Sequence, residues 1–125
     1  IYTWVIMTNH IHLIISGRDG KLSDIIRDFK KFTSSQIISA IENNPKESRK
    51  RWMLWLLMKD AKLWFWEEGY QGEEIISKYF FDSKVNYIHM NPVKANIVGK
   101  EEDYLYSSCG DFYGTRKGLL KLEES

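Results

Sequence analysis

The pattern of apolar and polar positions changes period along the chain, and each change predicts an element. Residues 2–7 and 10–15 are runs of β-branched and aromatic side chains, with Thr8-Asn9 between them, which predicts a strand, a turn or bulge, and a second strand. The second run stops at Ser16-Gly17-Arg18-Asp19-Gly20. From Leu22 the spacing becomes three and four residues, through Leu22, Ile25, Ile26, Phe29, Phe32, Ile37, Ile38 and Ile41. That spacing predicts a long amphipathic helix, with Ser23 as its cap, ending before Pro45. A second helix is expected over residues 47–61, and residues 63–66 read as a short strand closed by Glu67-Glu68-Gly69. Residues 73–91 read as a helix, either continuous or broken near Asp82-Ser83, anchored by Ile75, Ile76, Tyr79, Phe80, Val85 and Ile88. Pro92 disfavours a helical Asn91, so this helix is expected to stop there. The tail mixes aromatic, Ser and Gly residues from Tyr104 to Tyr113 and ends in an apolar pair, Leu119-Leu120. No repeat, low-complexity stretch or interdomain linker interrupts the order.

These elements make an α+β protein, and 125 residues with 43% hydrophobic content are enough for one core, so residues 1–125 are expected to form one domain. Charge adds little: 18 Lys and Arg stand against 17 Asp and Glu, so a nucleic-acid surface would have to come from local clustering. Cys109 is the only cysteine, fits a reducing compartment, and reads as a small semi-buried side chain. No apolar run approaches the roughly 18 residues of a membrane span, and no signal peptide opens the chain, so a cytoplasmic protein with no membrane partner is expected. The chain opens within a predicted strand and without an initiator methionine, as a fragment would.

Two motifs carry chemistry. In His10-Ile11-His12 the strand period places both imidazoles on one side, close enough to share a cation, with Ile11 on the opposite, apolar face. Taken alone the pair reads more readily as polar strand residues held by hydrogen bonds, and a metal site needs a third ligand. In Tyr87-Ile88-His89-Met90-Asn91-Pro92 a helix places Tyr87 and Asn91 on one face a turn apart, with His89 rotated about 200° from Tyr87. Alone, that pair reads as a packed tyrosine and a capping asparagine. His89 and Tyr106 are assigned to packing and hydrogen bonding. Ser107-Ser108 either hold the loop near this helix or cap a turn.

Together and in this order, the motifs resemble a known family. His10-Ile11-His12 resembles the HUH motif of single-tyrosine transposases, and residues 87–98 followed by Tyr104-Leu105-Tyr106-Ser107-Ser108 resemble the tyrosine helix of the REP-associated tyrosine transposases. Residues 4–10 and Phe29-Lys30-Lys31-Phe32-Thr33 extend the likeness over most of the chain. Thr8 stands where the family commonly has proline. The resemblance implies a ferredoxin-like antiparallel sheet with helices packed on it, whose first strand and helix would lie upstream of Ile1. It also implies nicking and rejoining of single-stranded DNA, often beside a hairpin. His10, His12 and Asn91 would bind Mg²⁺ or Mn²⁺, and Tyr87 would form a 5′-phosphotyrosine. Monomer and homodimer, with Tyr87 acting in cis or in trans, both fit the resemblance, and a DNA-bound protein would sit at the nucleoid.

Basic residues supply a weaker signal. Arg27, Lys30 and Lys31 on the first helix, Arg49, Lys50 and Arg51 on the second, and Lys94 beside the tyrosine motif are candidate phosphate contacts. Charges at helical spacing more often form a solvated face, and most of Trp52, Trp55, Trp64 and Trp66 are expected in the core. Two other functions remain open: an inactive relative that binds DNA hairpins, and an unrelated metal hydrolase in which water attacks and Tyr87 is structural.

Overall fold

The computed structural model describes residues 1–124, and its architecture is α+β. The described residues fall into two compact units, one made of residues 1–16 and 73–124 and the other of residues 17–72. No helix among the described residues is long and apolar enough to cross a membrane.

In the first unit the two predicted strands are present as β1 (Thr3–Ile6) and β2 (Ile11–Ile14), paired antiparallel with Val5 opposite His12 and Ile6 opposite Ile11. Met7 N–H donates to the His10 carbonyl at 2.8 Å, which makes Thr8-Asn9 the reversal. On the far side of β1, residues 106–108 behave as a third strand. Ile6 N–H donates to the Tyr106 carbonyl at 2.8 Å, and Ser108 N–H donates to the Trp4 carbonyl at 3.0 Å. Directly opposed residues of an antiparallel pair share a face, so Thr3, Val5, His12 and Ile14 lie on one side. Val5 and Ile14 of that side join Met7 and Ile88 in the core, with Tyr2, Ile75, Phe81, Val85 and Tyr104 packed around them.

The helix over this face, α3, is Lys78–Lys94. It begins later than its sequence predicts because Ser77 is extended and its hydroxyl accepts from Phe80 N–H at 3.1 Å, a cap that starts the helix at Lys78. Ile76 and Tyr79 are accordingly 83% and 85% exposed rather than anchors. The helix is unbroken at Asp82-Ser83, where Lys78 Nζ reaches Asp82 at 2.8 Å. It also continues through Pro92. That proline removes the donor that would meet the Ile88 carbonyl, but its ring is buried and the helix ends in a closed turn. Asn96 takes a φ of 59°, its N–H meets the Val93 carbonyl, and Ile97 N–H meets the Pro92 carbonyl at 2.9 Å. This double closure satisfies the last carbonyls and moves the stop past Asn91.

A buried polar knot joins α3 to the sheet. His89 Nε2 lies 2.7 Å from Ser108 Oγ, which accepts from Trp4 N–H at 3.0 Å. His89 is 6% exposed and packs edge-on against Phe112, with burial pushing its pKa down to about 4. Packing and hydrogen bonding are therefore its role. Ser107 Oγ accepts from Cys109 N–H at 3.2 Å as α4 (Cys109–Tyr113) begins, so the two serines serve both the helix contact and the turn. Cys109 is fully buried, and burial raises its thiol pKa to about 11.

In the second unit, α1 (Leu22–Glu42) carries the predicted apolar stripe but buries none of it fully. Ser23 is inside the helix rather than at its cap, and its hydroxyl meets the Tyr70 hydroxyl at 3.1 Å. The second helix, α2, spans only Lys50–Leu56. Glu47 delays its start by bonding Arg49 through both backbone and guanidinium, at 2.9 and 3.0 Å. Beyond it, Asp60 and Ala61 adopt φ of 50° and 61°, which forms the two-residue hairpin between β3 (Met58–Lys59) and β4 (Lys62–Leu63). The strand expected over 63–66 is reduced to Leu63, with Trp64 N–H continuing the ladder to the Leu57 carbonyl at 2.8 Å. Trp66 is tied by its indole N–H to Thr33 Oγ1 at 2.8 Å.

The knot sets a pH-dependent stability. His89 is neutral in the fold with a pKa near 4, whereas in the unfolded chain it takes the ordinary value of 6.5. Between these values the unfolded state binds the extra proton, so stability holds above about pH 6.5 and falls as pH drops towards 4. Urea midpoints across this range should show the fall, and His89→Gln should flatten it; a wild-type midpoint constant from pH 7 to 4 would contradict the burial. Ser108→Ala should cost about 1–3 kcal/mol in the same measurement, because it strands the Trp4 N–H and the His89 ring nitrogen.

Candidate functional site

Strand period and helix period bring the two sequence motifs together at the open end of the core. The imidazoles of His10 and His12 lie edge to face with ring centroids 4.9 Å apart. The Tyr87 ring stands 5.5 Å from His12 in a second edge-to-face contact. His10 is exposed and His12 half-buried, so the pair continues the Val5–Ile14 face without being enclosed by it. The opposite side of the hairpin is not a uniform apolar wall: Trp4 there is buried, but Ile6 is 47% exposed and Ile11 half-buried. Asn91 sits one turn beyond Tyr87 on α3 and is half-buried.

Each histidine is prepared differently. His10 Nδ1 lies 2.7 Å from the Asn9 carboxamide oxygen; a proton on Nδ1 would donate to that acceptor and leave the Nε2 lone pair for a ligand. Burial, the adjacent His10 and the ammonium of Lys84 all lower the pKa of His12 from its ordinary 6.5, which favours the neutral, ligating form. Two imidazoles and a carboxamide oxygen are a chemically suitable donor set for Mn²⁺, and for Mg²⁺ with more of its waters retained. Among the described residues there is no group of three or more His, Cys, Asp or Glu side chains placed to hold a metal ion. Asn91, expected from the sequence as the third ligand, would bring a carboxamide oxygen, which is not among those four residue types.

One residue was not singled out from the sequence. Lys84 Nζ lies 5.7 Å from the centre of the Tyr87 ring and 3.2 Å from Glu73, and Lys94 Nζ approaches the same ring at 5.6 Å. Lys84, Tyr87, Asn91 and Lys94 follow one another at three- and four-residue intervals, a single polar stripe of α3. That spacing was the available signal for Lys84, and it places two cations beside the Tyr87 ring. Among the described residues no hydrogen bond engages the Tyr87 hydroxyl, and the side chain is 46% exposed. Two of the other tail phenols are occupied. Tyr104 donates to the Ile6 carbonyl at 2.5 Å, and Tyr113 donates to Glu101 at 2.7 Å, which pushes the Tyr113 pKa up to about 12. Tyr106 is half-exposed and packs edge-on with Tyr104.

The remaining candidate phosphate contacts lie in the second unit and sort by what already holds them. Arg27 is committed to Asp24 at 3.0 Å and Asp28 at 3.1 Å. Arg49 is committed to Glu47. Lys30 donates to the carbonyls of Glu67 and Gly69 and pins that loop to α1. Lys31 and Arg51 are exposed, and Lys50 is half-buried.

No family model matches the chain, and no curated protein or solved structure matches it.

The electrostatic coupling at the site is measurable. In a ¹⁵N NMR titration His12 should titrate below 6.5, and Lys84→Gln should move it upward by removing a positive neighbour. An unmoved His12 in that variant would show that Lys84 does not face it.

Proposed function

We propose that the chain is a metal-dependent transesterase of single-stranded DNA in which Tyr87 is the nucleophile, of the REP-associated tyrosine transposase kind. The observation that carries this reading is the cluster of His10, His12 and Tyr87 rings, from sequence positions far apart, at centroid separations of 4.9 and 5.5 Å. In this reading the β1–β2 hairpin would belong to a ferredoxin-like sheet with α3 packed on it, as the resemblance implies.

In this reading the Tyr87 oxygen attacks the scissile phosphorus, the P–O3′ bond breaks, and the phenolic proton leaves as a proton is supplied to the departing 3′ oxygen. The product is a 5′-phosphotyrosine and a free 3′-hydroxyl, and reversal rejoins the strand without ATP because the ester bond is conserved. A phenol with a pKa near 10 is a weak nucleophile and a phosphodiester repels it, so positive charge at the phosphate is required. A divalent cation held by His10, His12 and Asn91 would supply Lewis acidity there. Lys84 and Lys94 flank the Tyr87 ring and would hold the anionic strand against it. Contact of Tyr87 with His12 of its own chain favours action in cis. A nucleoid-bound cytoplasmic protein follows from the substrate.

Incubation with hairpin-bearing single-stranded oligonucleotides and Mn²⁺, read on a denaturing gel, should give a protein–DNA adduct that excess chelator abolishes. Tyr87→Phe should form no adduct, while the Phe variants of Tyr104, Tyr106 and Tyr113 should still nick. Cleavage without any adduct would support water attack by a metal hydrolase, and binding without cleavage would support an inactive hairpin-binding relative.

A further inference from the structure

The tryptophans expected in the core are mostly outside it. Trp52, Trp55 and Trp64 are 56%, 69% and 45% exposed, whereas an aromatic ring loses roughly 1.5–3 kcal/mol by remaining in water. Trp52 and Trp55 are three residues apart on α2, so their rings rise from one helix face with Cβ atoms roughly 5–6 Å apart.

Charge is concentrated around them. Residues 43–66 hold Lys46, Arg49, Lys50, Arg51, Lys59 and Lys62 against Glu47 and Asp60, a local excess of four positive charges in a chain whose net charge is +1. Arg49 is spent on Glu47, which leaves Lys46, Arg51, Lys59 and Lys62 exposed beside exposed aromatic rings.

We propose that α2 and the β3–β4 hairpin form a stacking surface for the unpaired bases of single-stranded DNA, with Trp52 and Trp55 as the platforms and the exposed Lys46, Arg51, Lys59 and Lys62 along the phosphates. The combination selects this ligand. Cations alone would track any polyanion, but exposed indole faces add stacking on flat base faces, which single strands expose and duplexes hide. A two-fold dimer through the patch would set its positive excess against itself. A seven-residue helix offers little of the long apolar face by which amphipathic helices enter a membrane. The surface uses none of the residues of the Tyr87 cluster, so it stands or falls separately from the nicking reaction.

Fluorescence anisotropy of the whole chain in EDTA, with labelled oligothymidine, an abasic strand of the same length and a duplex of the same length, tests it. Oligothymidine should bind tighter than the abasic strand and the duplex. Trp52→Ala and Trp55→Ala should each weaken oligothymidine binding by roughly tenfold and leave abasic binding nearly unchanged, and the Phe variants should retain most of the affinity. Far-UV circular dichroism checks that the variants keep the fold. Equal affinity for thymidine and abasic strands, or unchanged Ala variants, would overturn the proposal. So would Ala variants that lose binding to phosphatidylserine vesicles instead, or that dissolve a dimer seen by sedimentation. Because EDTA removes cleavage from the measurement, loss of adduct formation in the Tyr87 assay leaves these affinities interpretable.

Discussion

The rotation of α3 about its own axis decides what the first unit can do, and the His89–Ser108–Trp4 knot fixes that rotation. Successive helical residues turn by about 100°, so Tyr87 and His89 flank Ile88 on either side. With Ile88 in the core against Val5, His89 faces Ser108 beyond one edge of β1, and Tyr87 faces His12 on the other neighbour, β2. A hydrogen-bonded buried imidazole tolerates little displacement, because a shift that broke its contact would strand polar groups away from water. The phenol is thereby held at the histidine pair by an interaction on the opposite flank of the helix.

This arrangement divides the labour among residues that look alike in the sequence. His89 is buried, neutral and structural, while His10 and His12 keep ring nitrogens at an open rim. Tyr104 and Tyr113 spend their hydroxyls on Ile6 and Glu101, and Tyr87 keeps its own beside Lys84 and Lys94. The same helix that buries Ile88, His89 and Pro92 presents a stripe of two cations, a phenol and a carboxamide on another side. Such a stripe contributes little to folding, which is why we read it as function.

The sheet hairpin was legible because strand period is strict: two β-branched runs flank Thr8-Asn9, and the alternation in His10-Ile11-His12 puts both imidazoles on one side. The long helix was equally clear from its apolar spacing. Pro92 misled because the rule for the residue before proline ignores what burial of the ring and a closing turn at Asn96 recover. The second helix was overextended because Asp60 and Ala61 take left-handed φ without the Gly or Asn that usually announces it. Ser77 was missed as a cap because apolar Ile75 and Ile76 suggested that the helix had already begun. At the site, period gave His10, His12, Tyr87 and Asn91, but Lys84 was hidden by the habit of reading helix charges as solvated. The tryptophans were misplaced for a related reason: aromatic content predicts burial on average, and α2 is too short and too basic to bury its rings.

In the proposed function, His10, His12, Asn91 and Tyr87 would surround one cation position. Paramagnetic relaxation by Mn²⁺ at substoichiometric concentration, read from the side-chain resonances, reports it directly because broadening falls steeply with distance. The account predicts selective broadening of the His10 and His12 imidazoles, the Asn91 carboxamide and the Tyr87 ring, with His89 spared relative to them. Broadening centred on the acidic residues of the 3₁₀ turn Glu101–Asp103, or confined to the two histidines with Asn91 and Tyr87 untouched, would contradict it.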